Sequence, residues 1–197
     1  MKIMMQQDGI TPLTGDELQQ LIPPSILTRE QLNQWEQANI QEAVQWAFAR
    51  RRKHTTLATQ AFLVELHKRM FGQVWKWAGQ FRTTNKNIGI DKLELHVELK
   101  KLLDDFLVWV EFESFPVDEI AARFHHRLVW IHLFPNGNGR HARLMADLIL
   151  VSLGQPKFSW GSGQDLAQEG EVRKRYIEAL RAADRYDYGP LLGFVRG

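Results

Sequence analysis

The chain has no cysteine among its 197 residues, which excludes disulfides, thiolate nucleophiles and thiolate metal sites. It also lacks an excess of either charge. Its 25 Lys and Arg against 23 Asp and Glu leave a formal net charge of +2, too mild by itself to imply a nucleic-acid partner. Long apolar runs are missing. The longest such stretch, residues 144–153, is interrupted by Asp147 and falls short of the ~20 residues a membrane-spanning helix needs. The opening MKIMMQQDGITPL carries no sustained apolar segment of the kind a secretion signal uses. Membrane insertion and secretion are therefore not expected, and the expected location is cytoplasmic. Neither a G-x-x-x-x-G-K-[ST] phosphate loop nor an H-E-x-x-H metal pair occurs.

What is present reads as one helical domain. Apolar residues make up 44% and charged residues 24%, an ordinary balance for a chain that buries a single core. Residues 1–27 hold Gly9, Pro12, Gly15, Pro23 and Pro24 with little periodicity and read as an extended arm. Thr28 with Gln31 then makes a capping-box start. Leu32, Trp35, Ile40, Ala43, Val44 and Ala47 recur at helical spacing after it, which predicts a helix over 28–53 at the head of a domain spanning 28–197. Its basic end, Arg50, Arg51, Arg52 and Lys53, complements the helix dipole, with a phosphate-backbone patch as the weaker reading. A second helix is expected from Thr55 or Thr56 to Gly72. Residues 81–90, FRTTNKNIGI, predict a small β-hairpin turning at Asn85, Lys86 and Asn87. Asp91 opens an amphipathic helix carrying Leu95, Leu99, Leu102, Phe106 and Trp109. Asp118 and Glu119 open another that ends near His132, a further helix covers 138–153, and 172–183 and 190–195 are helical in pattern. The fold class is all-α with a small hairpin flap.

Residues 132–143, HLFPNGNGRHAR, carry the chemistry. A helix end leads through a tight turn with two glycines into a new helix. Glycines let backbone N–H groups approach an oxyanion, and the first N–H groups of a helix form an anion site with its dipole. Gly137, Asn138 and Gly139 thus form a phosphate cradle. Arg140 and Arg143 stand at the helix N-terminus, where cations oppose the dipole, and this placement points to a bound polyanion. His132, just before the cradle, is the candidate general base, and Phe134 is a core plug fixing the turn. The spacing Gly137, Gly139, Ala142 also satisfies a dinucleotide fingerprint, but the strand–helix alternation of a parallel sheet is absent. A zinc cage from His125, His126, His132 and His141 is not expected, because adjacent histidines on a helix face different ways.

These residues resemble the Fic (filamentation) family, whose signature is H-x-F-x-[D/E]-G-N-G-R-x-x-R. WAGQFR, residues 77–82, and NIGI, residues 87–90, resemble its flap, and the stretch from Glu36 together with YIEALRAADRYDYGPLLGFV is similar to the subgroup called mobile mystery protein B. The resemblance implies a helical Fic-like bundle that moves AMP from ATP onto a Ser, Thr or Tyr hydroxyl of a target protein, with Mg²⁺ or Mn²⁺. It makes His132 the base, the backbone at 137–139 the holder of the α- and β-phosphates, Arg140 and Arg143 the partners of the β- and γ-phosphates, and Thr84, Asn87, Ile88 and Gly89 the flap that aligns the target. The acidic metal ligand of the family is Asn136 here, a neutral oxygen that binds a divalent cation more weakly. Glu36 occupies the place of an inhibitory glutamate and is expected to restrain Arg143. A helix-turn-helix companion protein is implied by the subgroup; nucleic acid is not expected as a direct partner. Two alternatives stay open: a nucleotide-binding regulatory module that has lost turnover, and a related enzyme using another nucleotide or removing AMP.

Overall fold

The computed structural model describes residues 14–26, 28–161, 166 and 170–197. Its helices are α1 (Gly15–Leu18), α2 (Arg29–Phe48), α3 (His54–Leu57), α4 (Gln60–Phe71), α5 (Leu95–Glu111), α6 (Val117–Ile131), α7 (Asn138–Ser152), α8 (Glu171–Ala183) and α9 (Gly189–Arg196). Helices α6 and α7 pack along one another, α5 lies against α6, α2 against α4, and α8 against α9. Leu63, Leu66, Phe71, Phe106, Phe124, Phe134, Met145 and Ile149 lie at the centre, all essentially without solvent exposure. Each contributes about 1.5–3 kcal/mol by leaving water.

Local chemistry sets most boundaries. Thr28 Oγ1 accepts from Gln31 N–H at 3.2 Å while Gln31 Oε1 accepts from Thr28 N–H at 3.1 Å, closing both halves of the capping box. The helix expected to run unbroken from Thr55 or Thr56 is two helices: the chain breaks at Ala58, whose ψ is 50°, and Thr59 restarts it by accepting from Phe62 N–H at 3.2 Å. The segment expected as an extended arm contains α1 within its described part, capped reciprocally by Thr14 and Glu17; residues 1–13 of that arm lie outside the described residues.

The expected β-hairpin does not form. Among the described residues there is no strand, only an isolated antiparallel bridge between Leu21 and Trp75. A hairpin needs its carbonyls for the opposing strand, and here side chains take them. The Arg82 guanidinium donates to the carbonyls of Thr84 and Ile90, and Lys92 Nζ donates to Thr83 O at 2.8 Å. Asn85 Oδ1 accepts from Lys92 N–H, and its Nδ2 donates to Asp91. The flap is an irregular loop knitted by side chains. The arm grips it as well, since Glu17 holds Lys86 Nζ at 2.6 and 2.8 Å.

Candidate active site

Helix α6 ends at His132, whose φ of 59° and ψ of 62° are left-handed. A non-glycine residue there is unfavourable and persists only when its surroundings fix it. Arg82 supplies that constraint: it is 3% exposed, its Nε–H donates to His132 O at 2.6 Å, and its backbone N–H donates to Leu133 O at 2.9 Å. The imidazole is 4% exposed, with Nδ1 3.3 Å from Val129 O. A carbonyl there calls for the proton on Nδ1, which leaves the lone pair on Nε2. Burial lowers the imidazole to about 4, opposed by the Val129 carbonyl and reinforced by Arg82 and Lys86, so it is neutral at pH 7.

The flap covers this histidine at Gly89, which has φ +91°; a Cβ there would lie 2.5 Å from His132 Cβ. Gly89→Ala combines that clash with a left-handed alanine, so thermal unfolding is expected to show a loss of about 1–3 kcal/mol, roughly 2–4 °C per kcal/mol for a chain of this size. An unchanged midpoint would show that the flap does not rest on His132.

The turn after His132 is held from inside. Asn138 Nδ2 donates to Phe134 O at 2.8 Å and its Oδ1 accepts from Phe134 N–H at 2.9 Å, so this side chain clasps the loop. Gly137, φ +78°, is the N-cap of α7, and a Cβ on it would strike the Phe71 ring at 2.5 Å. No side chain caps α7, and its first N–H groups therefore offer the anion site that a helix start provides. The fully buried Phe134 ring stacks on His67 with centroids 3.6 Å apart. His67 accepts from Gly79 N–H at its Nδ1 and donates from Nε2 to Asn136 O, both at 3.0 Å, fixing its tautomer and tying α4 to the turn.

The two arginines part company. Arg140 Nη1 lies 2.6 Å from Glu36 Oε2, and its guanidinium sits over the Phe71 ring. Glu36, 6% exposed, accepts a second bond from Trp75 Nε1 at 2.7 Å. Arg143 leans the other way, 5.8 Å above the Tyr176 ring, whose hydroxyl pairs with His125 Nε2 at 2.9 Å. The expectation that Glu36 holds Arg143 is thus corrected. The carboxylate is fixed beside Arg140 by the Trp75 indole, and Arg143, nearly one turn on, faces α8.

Asn136 Oδ1 accepts from Gly137 N–H at 2.6 Å. It is a neutral oxygen, and among the described residues no group of three or more His, Cys, Asp or Glu side chains could hold a metal ion. Such a donor set does not make a protein metal site; a divalent cation would reach it with a phosphate ligand. Two further histidines are committed elsewhere: His126 to Asp184 and Tyr188, and His141 to Leu63 O. Thr84, Asn87 and Ile88 lie exposed on the flap. Arg82, His67 and Trp75 carry the site's support but were not among the expected site residues. Arg82 stands in the WAGQFR stretch and could have been flagged there, whereas His67 has no sequence signal.

An uncapped helix start with two arginines on that helix, and a buried neutral imidazole beside it, lie next to the flap. A family model described as the Fic/DOC family matches residues 57–150. "Protein adenylyltransferase Fic" of Nematostella vectensis is 31% identical over 68% of this chain and 30% of its own length, and "Protein adenylyltransferase fic-1" of Caenorhabditis elegans is 31% identical over 68% and 25%. The structure titled "Fic-1 (aa134 - 508) from C. elegans" superposes with a TM-score of 0.66 at 25% identity, covering 89% of this chain and 50% of that one. A Bartonella quintana Fic domain solved with bound ADP has the same fold, with a TM-score of 0.64 at 19% identity over 88% of this chain and 86% of that one. The chain belongs to the Fic family, and it spans less than a third of the length of the curated relatives it matches.

Proposed function

We propose that this chain is a protein adenylyltransferase, transferring AMP from ATP to a hydroxyl of a target protein. The observation that carries the reading is His132 Nε2, kept neutral by burial beside the uncapped start of α7. In this reading Nε2 takes the proton of a target hydroxyl, the hydroxyl oxygen attacks the α-phosphorus, and pyrophosphate leaves. The N–H groups at 137–139 hold the phosphates, and Arg140 and Arg143 pair with the β- and γ-phosphates, so catalysis is chiefly positioning and charge stabilisation. Thr84, Asn87, Ile88 and Gly89 align the target. Mg²⁺ or Mn²⁺ would enter with the triphosphate and supply charge neutralisation, with Asn136 offering at most one amide oxygen. The test is incubation with α-labelled ATP and either cation, alone and with host lysate; label on protein that depends on His132 supports transfer.

Asn136 favours a second reading, a regulatory module that binds nucleotide without turnover. Nucleotide binding with no transfer by any variant would select it. Labelled-nucleotide panels and a pre-modified target separate the further variants, another nucleotide or removal of AMP.

Glu36 restrains the enzyme in this proposal, by holding Arg140 away from a triphosphate. Glu36→Gly is expected to raise self-labelling about tenfold, within the 5–150-fold that a coupling of ~1–3 kcal/mol produces. Glu36→Gln keeps an acceptor for Trp75 and removes the charge, so it should do the same; parent-level labelling in both would sink the restraint. Likeness to mobile mystery protein B adds a helix-turn-helix companion to this proposal, and the absence of cysteine supports a cytoplasmic location in it. No described helix is long and apolar enough to cross a membrane.

A further inference from the structure

The basic run at the end of α2 does more than finish a helix. Arg52 alone does the finishing: it donates to the carbonyls of Ala47, Arg50 and Trp46 and lies over the Trp46 ring at 4.4 Å. Arg50, Arg51 and Lys53 are not buried, and none of them has a carboxylate within ion-pair distance among the described residues. Four other arginines are paired, Arg69 with Glu65, Arg123 with Glu119, Arg127 with Glu98 and Arg196 with Asp118, whereas Arg175 and Arg185 are exposed like Arg50 and Arg51; what sets Arg50 and Arg51 apart is the cavity beside them. The macrodipole therefore accounts for Arg52 and leaves the other cations unexplained.

Arg50 and Arg51 border a cavity of about 360 Å³ between the C-terminal ends of α2 and α7. Its floor includes Ala47, Leu57, Leu148 and Val151, Arg50 and Arg51 are on its wall, and it has no acidic lining residue. Beyond the end of α2, Arg51 Nη2 lies 4.0 Å from where a Cβ on Gly154 would be, and both residues line the cavity. Helix α7 separates the cavity from the phosphate cradle by its whole length, about 20 Å at 1.5 Å per residue.

We propose that this cavity docks an acidic polypeptide segment of a partner protein, its carboxylates on Arg50 and Arg51 and one apolar side chain in the cavity. Charge complementarity selects an anion, and the apolar floor selects a partner with an apolar anchor, the arrangement of a buried contact ringed by charge. A nucleic-acid backbone fits less well. It tracks an extended cationic stripe, and this run is short.

The test uses the full chain and a fluorescein-labelled peptide of about ten residues, glutamates around one central phenylalanine, followed by anisotropy at about 0.15 M salt. Saturable binding is expected, weakened about tenfold or more, ~1.4 kcal/mol, in Arg50→Glu/Arg51→Glu. Val151→Phe, which fills the cavity and keeps every charge, should weaken it similarly, as should alanine in place of the peptide's phenylalanine. Thermal unfolding checks that each variant is folded, and Val151→Phe carries the test if the double variant is not. No saturable binding overturns the proposal. Equal binding of the phenylalanine and alanine peptides reduces it to diffuse charge attraction and overturns it too, and a short DNA duplex that outcompetes the peptide and is lost in the same variants assigns the site to nucleic acid instead.

Discussion

Replacing His132 with Ala is expected to lower AMP transfer from α-labelled ATP by about 10²–10⁴-fold, the range that a positioned general base contributes, while leaving ATP binding close to the parent value. The phosphate contacts proposed for 137–143 do not use the imidazole, so binding and turnover should separate. Because residue 132 is left-handed, alanine brings strain of its own. His132→Asn is the better-tolerated control, since asparagine enters that region more readily. Both variants should lose transfer, and full transfer by the asparagine variant would remove His132 from the base role. The pH profile is a sharper check. An exposed histidine would lose its lone pair as pH falls through about 6.5; burial holds this one down to about 4, so transfer should stay flat through that range until the fold gives way. A decline centred on about 6.5, the ordinary histidine value, would mean that the imidazole is solvated during turnover.

How much of this could be read from residues alone depended on the range of the interaction. The helices were legible because their apolar positions recur every three or four residues and their ends carry local caps, as Thr28 with Gln31 does. The turn at 132–143 is legible because Gly137 takes a positive φ, a local demand that glycine meets; the Phe71 ring that a Cβ there would strike comes from α4 and is not local. The flap was misread because its carbonyls are taken by Arg82 and Lys92 side chains, and no strand propensity encodes that choice. The break at Ala58 was missed although Thr59 offers a cap of the ordinary kind. Glu36 was identified as a candidate, but its choice of Arg140 over Arg143 depends on where the Trp75 indole sits once α2 and α4 have packed.

Acid should unfold this protein early. Five of the seven histidines, His67, His125, His126, His132 and His141, are held below their ordinary value, with burial the largest cause in each. His125 falls to about 3, and His132 and His141 to about 4, against about 6.5 in an unfolded chain. Between those values the unfolded state binds more protons than the folded state, so stability rises with pH there. The contribution is fully present above about 6.5 and is lost as pH falls toward about 4. Asp147 acts in the opposite sense: burial raises it to about 6, and protonating it favours the folded state between about 4 and 6. One carboxyl does not offset five imidazoles. Each tenfold difference in proton affinity between the folded and unfolded chain is worth about 1.4 kcal/mol, against about 5–15 kcal/mol of stability for a typical domain. The urea midpoint should therefore be level above about pH 7 and fall steeply below about 6.5. His141→Gln should flatten that slope, because it removes a proton site that only the unfolded chain fills. A midpoint unchanged from about pH 7 to about 4.5 would show that these histidines reach water in the folded protein, and the neutral Nε2 assigned to His132 would then lose its physical basis.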